Sequence, residues 1–225
     1  MSTQTSAVIK QILDYIRTNQ LIPGDPMPSE PALVEQLGVS RSTLREAVRE
    51  LRTLQIIEVR HGFGSFVGEA SLSFLSEALV FRTMAPGQPP AKGMLELIAI
   101  RKMLEVSLAE QVTGKLSDDQ IERLYACCNK MTDDSDNAHV DRLFHSILYE
   151  QVDNEIVKQL ISAFWDAFDQ IKTQLPNEGI QATHRIHKAI VDAYLHDNKE
   201  AARKAMADHF EFIQQRLHVI LEQES

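Results

Sequence analysis

The chain has 225 residues, of which 44% are hydrophobic, and a formal net charge of −9 at pH 7, so it can form one or two ordinary domains. The acidic balance argues against the indiscriminate affinity for nucleic acids that strongly basic proteins show. No leader is evident, no apolar run approaches the roughly 18 residues of a membrane span, and the two cysteines are adjacent, so we expect a cytoplasmic protein without a membrane partner or a disulfide framework.

The first part of the chain predicts three short helices. Apolar residues at helical spacing, ending near Asn19, predict the first helix: Val8, Ile12, Tyr15 and Ile16. Ser29 is suited to cap a second helix that has Pro31 in its first turn. Gly38-Val39-Ser40 then predicts a short turn before a third helix, which Ser40 caps. Two short helices joined in this way are typical of a helix-turn-helix, which binds DNA.

The third helix has an apolar face and a basic face. The apolar stripe is Leu44, Ala47, Val48 and Leu51, and the basic face holds Arg41, Arg45, Arg49 and Arg52. An arginine side chain can bind guanine or a phosphate with two parallel hydrogen bonds. We therefore expect the residues at the helix start, Arg41, Ser42, Thr43 and Arg45, to reach base edges, and Arg49 and Arg52 to bind phosphates. The arginines alone fit an ordinary solvated basic face equally well.

A small β hairpin follows this helix. Ile56, Ile57 and Val59 predict one strand, Gly62-Phe63-Gly64 a tight turn, and Ser65-Phe66-Val67 a second strand. Arg60 and His61 are expected at the tip of the hairpin, beside the minor groove or its phosphates, where glycines let the backbone approach DNA closely. A hairpin in this position predicts a winged helix-turn-helix that binds double-stranded DNA.

Five motifs, in this order and spacing, resemble the GntR-type bacterial transcription regulators over roughly residues 6–67: Pro23-Gly24-Asp25, Pro28-Ser29-Glu30, Val39-Ser40-Arg41, Arg45-Glu46-Ala47 and Gly62-Phe63-Gly64-Ser65-Phe66-Val67. The resemblance implies that Arg41, Arg45, His61 and Gly62 bind operator DNA. Two residues depart from the family pattern. Pro31 replaces the usual arginine, which removes one expected DNA contact, and Gln55 replaces the usual glycine after the recognition helix. A non-glycine residue in that left-handed position costs on the order of 1 kcal/mol.

The rest of the chain predicts only helices. A helix is expected over Leu72–Met84, and the stretch Ala85 to Pro90 breaks it. From Met94 onward, helical periods are interrupted at Thr113-Gly114, Asp133 to Asn137, Asp153-Asn154, Pro176-Asn177 and His196 to Asn198. We therefore predict a mostly α protein with a winged domain at 1–68, a linker with a short helix at 69–93, and an antiparallel helical bundle at 94–225. The aromatic residues Phe164, Trp165 and Phe168 are expected in its core.

Four polar residues of the bundle are expected to point inward. Asp141 and His145 lie one helical turn apart beside apolar neighbours, and His187 and His209 lie on the apolar faces of two other helices. Buried groups of this kind need partners, because an unpaired one costs roughly 1 to 3 kcal/mol. A shared divalent metal ion would satisfy all four, and hydrogen bonds to backbone or side chains are the alternative. The remaining candidates, His184, His196 and His218, are expected to be solvated.

The second half also resembles a known domain. Asp141-Arg142-Leu143-Phe144-His145, His187-Lys188-Ala189-Ile190 and the stretch from Ala202 to His209 resemble the all-helical FCD effector domain of the FadR branch of GntR regulators. In metal-binding members the matching Asp and three His hold a divalent ion, so the resemblance implies that Asp141, His145, His187 and His209 are ligands of Zn, Ni or Mn. His184 lies three residues too far from His209 to fit that spacing.

Arg101 interrupts the apolar stripe of its predicted helix, so its guanidinium is expected to face inward and to need an anion. Glu105, one turn on, can supply that anion as a structural salt bridge. Alternatively, Arg101 pairs with the carboxylate of a bound ligand, because the corresponding arginine faces the effector pocket in similar regulators. Four protein ligands leave two positions of an octahedral metal open, enough for one bidentate organic acid.

These features predict a ligand-responsive repressor that binds a palindromic operator as a homodimer and senses a small organic acid. A metal-dependent enzyme acting on a small carboxylate is the alternative, because three histidines and a carboxylate also suit metal-assisted catalysis. That alternative leaves the winged motif unexplained. An architectural DNA-binding protein without an effector would leave Arg101 and the inward histidines unexplained.

Overall fold

The computed structural model describes residues 3–131, 138–172 and 184–223. Over these residues the chain forms ten helices and one small antiparallel sheet, and it divides into two compact units, Met1–Phe74 and Leu75–Ser225. The predicted fold class, a winged helix-turn-helix followed by a helical domain, is confirmed. Within the described ranges, no helix is both long enough and apolar enough to cross a membrane.

The first unit contains three helices and the two strands of the wing: α1 (Thr3–Thr18), α2 (Glu30–Leu37), α3 (Arg41–Thr53), β1 (Ile57–Arg60) and β2 (Gly64–Val67). Its core is formed by the predicted apolar stripes of α1 and α3, where Ile12, Leu44 and Leu51 are buried, together with Ile57 of β1. The apolar stripe of α3 therefore faces the core and leaves its basic face toward solvent.

The residues that cap α2 and α3 are those expected from the sequence, but one predicted capping hydrogen bond is absent. The Ser40 hydroxyl accepts a hydrogen bond from the backbone N–H of Thr43, as predicted for the cap of α3. Ser29 occupies the N-cap position of α2, but its side chain makes no capping hydrogen bond, so that part of the prediction was wrong. Helix α2 ends at Gly38 in the left-handed conformation, with φ of 64°.

Gln55 ends α3 as a glycine would. It adopts a positive φ of 55°, and its backbone N–H donates to the carbonyl of Arg52. The next residue, Ile56, donates to the carbonyl of Leu51, which completes a Schellman motif. Gln55 therefore adopts the left-handed conformation that glycine usually supplies at the end of a helix.

The second unit contains seven helices: α4 (Phe74–Thr83), α5 (Pro90–Val112), α6 (Asp118–Lys130), α7 (Ala138–Leu148), α8 (Glu155–Ile171), α9 (His184–Leu195) and α10 (Lys199–Gln223). Phe164, Trp165 and Phe168 are buried in its core as predicted. The predicted breaks at residues 113–114, 153–154 and 196–198 fall between helices, whereas those at 133–137 and 176–177 fall outside the described residues.

Helix α4 and the start of α5 lie in the segment that the sequence suggested as a linker, and both pack in the second unit. Leu79, Val80 and Met84 contact the core of that unit. Gly93 lies so close to Thr83 that a β-carbon at position 93 would approach the Thr83 backbone oxygen to 2.4 Å. The close approach of these two helices therefore requires glycine at this position.

Candidate DNA-binding surface and metal centre

The residues predicted to contact DNA lie on the exposed face of α3 and at the wing. Arg41, Ser42, Arg45 and Arg49 are exposed, and Thr43 is half-buried. The Ser40 hydroxyl also lies 2.9 Å from the Ser42 hydroxyl and 2.8 Å from that of Thr43. The start of α3 is thus ordered by its own polar side chains, and its arginines project into solvent.

Arg45 is held by a carboxylate that sequence reasoning missed. Its Nε donates to Oε1 of Glu30, at the start of α2, over 2.9 Å. The Arg45 side chain is still 67% exposed. Because the ion pair uses Nε, the two terminal nitrogens of the guanidinium remain available for a base or a phosphate. The only sign of this ion pair in the sequence is that Glu30 and Arg45 carry opposite charges. Their contact depends on how α2 crosses α3.

The basic residue of the wing is paired within the wing. Arg60 donates from Nε and Nη2 to the two oxygens of Glu58, over 3.1 and 3.0 Å, and its guanidinium lies 4.3 Å from the centre of the Phe66 ring. The hydrogen bonds lower the pKa of Glu58 and raise the pKa of Arg60. The wing is therefore close to neutral locally, which was not anticipated. His61, Gly62 and Phe63 form its exposed tip.

The four inward polar residues of the second unit meet at one place. Asp141 and His145 come from α7, His187 from α9 and His209 from α10, and all four are buried. One ligand atom from each lies within 4.8 Å of the others. His184, which the sequence placed outside the set, is exposed and contacts the carbonyl oxygen of Cys128 through Nδ1 at 2.8 Å.

Inside this cluster the carboxylate of Asp141 contacts two histidine rings. His187 Nε2 lies 2.8 Å from Oδ1 of Asp141, and His145 Nε2 lies 3.4 Å from the same oxygen. Burial alone would raise the pKa of Asp141, but the charges and hydrogen bonds of His187 and His145 outweigh it and hold that pKa well below its usual value. Asp141 is thus a carboxylate that faces two imidazoles, a set of oxygen and nitrogen donors that suits a divalent transition metal.

His209 differs from the other three residues in the contacts of one ring nitrogen. Its Nε2 is buried and has no hydrogen bond to any residue that the structure describes, and burial, followed by the charges of His187 and His145, lowers the pKa of His209 well below its usual value. A neutral imidazole with a free nitrogen is the form that binds a metal ion. The donor set and this orphaned nitrogen therefore fit a metal held by all four residues.

A second buried layer surrounds His145. Glu105 accepts hydrogen bonds from Arg101 Nε at 2.8 Å and from the Tyr149 hydroxyl at 2.9 Å, and its Oε2 lies 2.6 Å from His145 Nδ1. Burial would raise the pKa of Glu105, but Arg101 and His145 together lower it to about 2. The salt bridge between Arg101 and Glu105, one of the two roles predicted for Arg101, is thus present.

Arg101 also retains an unused donor. Its guanidinium stacks on the Trp165 ring at 3.9 Å, and its Nη2 is buried without a hydrogen-bond partner in the described part of the chain. Among the same described residues, Trp165 Nε1 and the hydroxyl of Tyr194 are buried and unpaired as well. Burial and the Glu105 carboxylate raise the pKa of Tyr194, which keeps its hydroxyl protonated as a donor. Buried unpaired donors are costly in a folded protein, and these three can donate hydrogen bonds to a group that enters this region.

A cavity of about 160 Å³ lies beside this layer. Its lining includes the buried side chains of His145, Tyr149 and Trp165 and the partly exposed side chains of Arg142 and Lys158. The cavity thus joins the surface to the residues that surround Arg101. It is smaller than the roughly 300–1,000 Å³ of sites for drug-sized molecules.

Comparison with known proteins gives matches in both units. The family model described as bacterial regulatory proteins, gntR family, matches residues 4–67, and the FCD domain model matches residues 96–212. The HTH-type transcriptional regulator YcbG of Bacillus subtilis is 27% identical over 96% of this chain and 90% of its own length. The galactonate operon transcriptional repressor of Escherichia coli is 22% identical over 90% of this chain and 91% of its own length. A solved structure, Streptococcus agalactiae GntR, matches with a TM-score of 0.68 and 26% identity, covering 94% of this chain and 99% of that one.

Proposed function

The chain belongs to the GntR family of bacterial regulatory proteins and carries an FCD domain, and we propose that it is a repressor whose operator binding responds to a small organic acid held at a metal centre. As a member of this family it is a transcription regulator and not an enzyme, which sets aside the metal-dependent enzyme considered from sequence. The observation that carries the proposal is the convergence of four buried ligand atoms within 4.8 Å of one another, next to an arginine with an unused donor.

The DNA partner is a palindromic operator bound by a homodimer. Two copies of α3 then enter successive major grooves, and the two-fold symmetry of the dimer fixes the spacing of the half-sites. The residues that contact base edges are Arg41, Ser42, Thr43 and Arg45, and Arg49 binds phosphate. Arg60, His61 and Gly62 approach the minor groove, with Arg60 acting mainly on the orientation of the wing because Glu58 neutralises it. Since its target is chromosomal DNA, the protein acts in the bacterial cytoplasm.

The metal is a divalent ion, with Zn, Ni or Mn compatible with one carboxylate and three imidazoles. Asp141, His145, His187 and His209 would hold it. When bound, the ion supplies a positive centre that attracts the carboxylate of the effector. Metal uptake requires His145 to release a proton, because Glu105 and Asp141 overcome the opposing effect of burial and raise the pKa of His145 to about 9.

The effector is a small acid with a carboxylate and at least one further polar oxygen. Arg101 Nη2 supplies a charge-assisted hydrogen bond to the carboxylate, and Trp165 Nε1 and the Tyr194 hydroxyl can donate to other oxygens. The neighbouring cavity of about 160 Å³ gives access from the surface and excludes long acyl chains. A ligand of this kind satisfies the buried donors that the protein leaves unpaired.

The acid can regulate DNA binding only if it binds one arrangement of the dimer's two winged domains better than another arrangement. An acid with equal affinity for both arrangements would change nothing, however tightly it bound. The coupling is reciprocal, so operator DNA must change the affinity for the acid by the same factor.

Thermal unfolding of the full-length protein against a panel of small hydroxy acids, sugar acids and dicarboxylates tests the proposal, with and without prior chelation. An acid at a hundred times its dissociation constant adds about 2.7 kcal/mol, which raises the midpoint of a chain this size by about 5–10 °C. We expect one class of acid to raise the unfolding midpoint, and chelation to abolish that rise. The same acid should release operator DNA. Shifts that survive chelation would show that Arg101 anchors the acid without a metal and would contradict the metal-held acid, and no shift with any acid would contradict the effector class.

A further inference from the structure

The tip of the wing carries an exposed aromatic side chain. Phe63 is 83% exposed, the most exposed of the large apolar side chains that the structure describes. It lies between Gly62 and Gly64, which have positive φ angles of 80° and 109°, and its backbone N–H donates to the carbonyl of Arg60 over 3.0 Å. This tight turn holds the ring out from the hairpin. Phe63 is not part of the core of its unit, so its ring is free to contact whatever the wing approaches.

The other side chains of the wing do not supply a strong phosphate contact. Arg60 is paired with both oxygens of Glu58 and stacked on Phe66, so the charge of the guanidinium is largely offset. His61 is exposed beside the tip. The wing thus presents a nearly neutral hairpin that ends in a phenyl ring, whereas the arginines of α3 supply the positive charge of the same unit. A neutral apolar tip binds a groove better than it binds a phosphate backbone.

We propose that Phe63 is a wedge that enters the minor groove of the operator and partly unstacks one base step. The inference rests on the DNA binding described above and adds a residue that determines specificity. Apolar side chains inserted between bases kink the duplex toward the major groove. The cost depends on sequence, and it is lowest at the flexible TA and CA/TG steps. Phe63 therefore selects operators by their deformability, at a position where the protein makes no hydrogen bond to a base.

The wedge has a signature that separates it from a phosphate contact. Losing a phosphate contact reduces the slope of binding against salt concentration, because fewer counterions are released. Losing a neutral wedge leaves that slope unchanged but removes both the kink and the preference for a flexible step. The exposure of Phe63 makes the test clean, since truncation of this side chain leaves the core of the first unit intact.

The test uses the full-length protein and a duplex enriched by in vitro selection on that protein. Adenines at TA and CA steps flanking the recognised half-sites are replaced, one at a time, by 2-aminopurine, whose fluorescence rises when the base unstacks. We expect wild type to raise the signal at one step, and Phe63→Ala to abolish it, with an affinity lower by roughly tenfold and an unchanged salt slope. Phe63→Leu should retain much of the signal because leucine also acts as a wedge.

Ile22→Ala is the matched control, because Ile22 is 63% exposed in the same unit but lies outside the wing. This variant should match wild type in affinity and in fluorescence. Arg45→Ala separates the wedge from DNA binding as such, because it should weaken binding and lower the salt slope. The wedge is overturned if Phe63→Ala keeps the fluorescence signal, or if it lowers the salt slope as the arginine variant does. DNA binding itself would stand in either case.

Discussion

Oε2 of Glu105 lies 2.6 Å from Nδ1 of His145, and both side chains are fully buried. Glu105 comes from α5 and His145 from α7, so the contact joins the helix of Arg101 to the helix that carries two of the proposed metal ligands. A carboxylate on one nitrogen of an imidazole orients the ring and makes the other nitrogen a stronger metal ligand. The proposed acid site and the proposed metal site therefore share one residue, Glu105, which contacts both Arg101 and His145.

Substitution of Glu105 should weaken metal binding without removing a ligand. Glu105→Gln keeps the shape but lacks the charge that orients His145, and we expect metal affinity to fall about 10- to 100-fold. Competition against a chromogenic chelator measures this. Tyr149→Phe is the control, because it removes another hydrogen bond to Glu105 and leaves His145 in contact. Equal affinities for wild type and Glu105→Gln would show that the carboxylate serves packing alone.

Arg101 should distinguish acid binding from metal binding. Arg101→Lys keeps a charge near Glu105 but loses the planar group that stacks on Trp165 and the spare donor Nη2. We expect the thermal shift with the acid to disappear while metal affinity stays within a few-fold of wild type. Arg101→Ala is less informative, since it leaves Glu105 as an unpaired buried charge and costs about 3–5 kcal/mol.

The control for this variant is Arg203→Lys, because Arg203 pairs with Glu110 at 3.0 Å on the exposed surface of the same unit. It should leave the acid response and the stability close to wild type, as exposed ion pairs contribute little. Retention of the acid response by Arg101→Lys would assign Arg101 a purely structural role through its pair with Glu105.

The sequence predicted the fold class from its motifs, and it predicted the inward faces of the bundle helices because burial follows the helical period. Asp141 and His145 lie one turn apart beside apolar residues, and the structure confirms that both are buried, as it does for His187 and His209. Their role as metal ligands stays a prediction. Helical periodicity assigns each residue to the inward or the solvent face of its helix. It therefore placed these four residues inward and His184 outward, and His184 is exposed in the structure.

Periodicity could not predict which buried groups touch each other. The Tyr149 hydroxyl reaches Glu105 across 44 positions of sequence, and Arg101 stacks on Trp165 from a different helix. Such contacts depend on how helices cross, which side-chain spacing within one helix does not encode. The same limit explains why the ion pair of Arg45 with Glu30 was missed. The pair of Arg101 with Glu105 was foreseen because its members lie one turn apart.

Glu30 should affect the specificity of DNA binding more than its strength. The carboxylate fixes Arg45 through Nε, so Glu30→Ala frees the guanidinium to adopt other orientations. The same change removes a negative charge near DNA, so we expect tighter binding to random duplex and weaker binding to a selected duplex. Fluorescence anisotropy with both duplexes measures the ratio, which should fall several-fold.

A double-mutant cycle tests whether Glu30 acts through Arg45. Arg45→Ala alone should cost about 1–3 kcal/mol on the selected duplex. If Glu30 only orients Arg45, adding Glu30→Ala to that variant should cause no further loss of specificity. A loss equal to that of the single Glu30 variant would show that Glu30 acts independently, through the fold or through its own contact with DNA.

Restoring glycine at position 55 should stabilise the first unit. Gln55 completes the Schellman motif of α3 with φ of 55°, a conformation that costs a side-chain-bearing residue on the order of 1 kcal/mol. Gln55→Gly should therefore raise the calorimetric midpoint of the first unit by about 4–8 °C for a full 1 kcal/mol. Gln55→Ala is the control, because it also removes the exposed hydrogen bond from Gln55 to Ser73 but keeps a β-carbon. Gln20→Gly should behave like Gln55→Gly, since Gln20 ends α1 with φ of 52°. Equal midpoints for the glycine and alanine variants at position 55 would mean that the left-handed conformation carries no cost there.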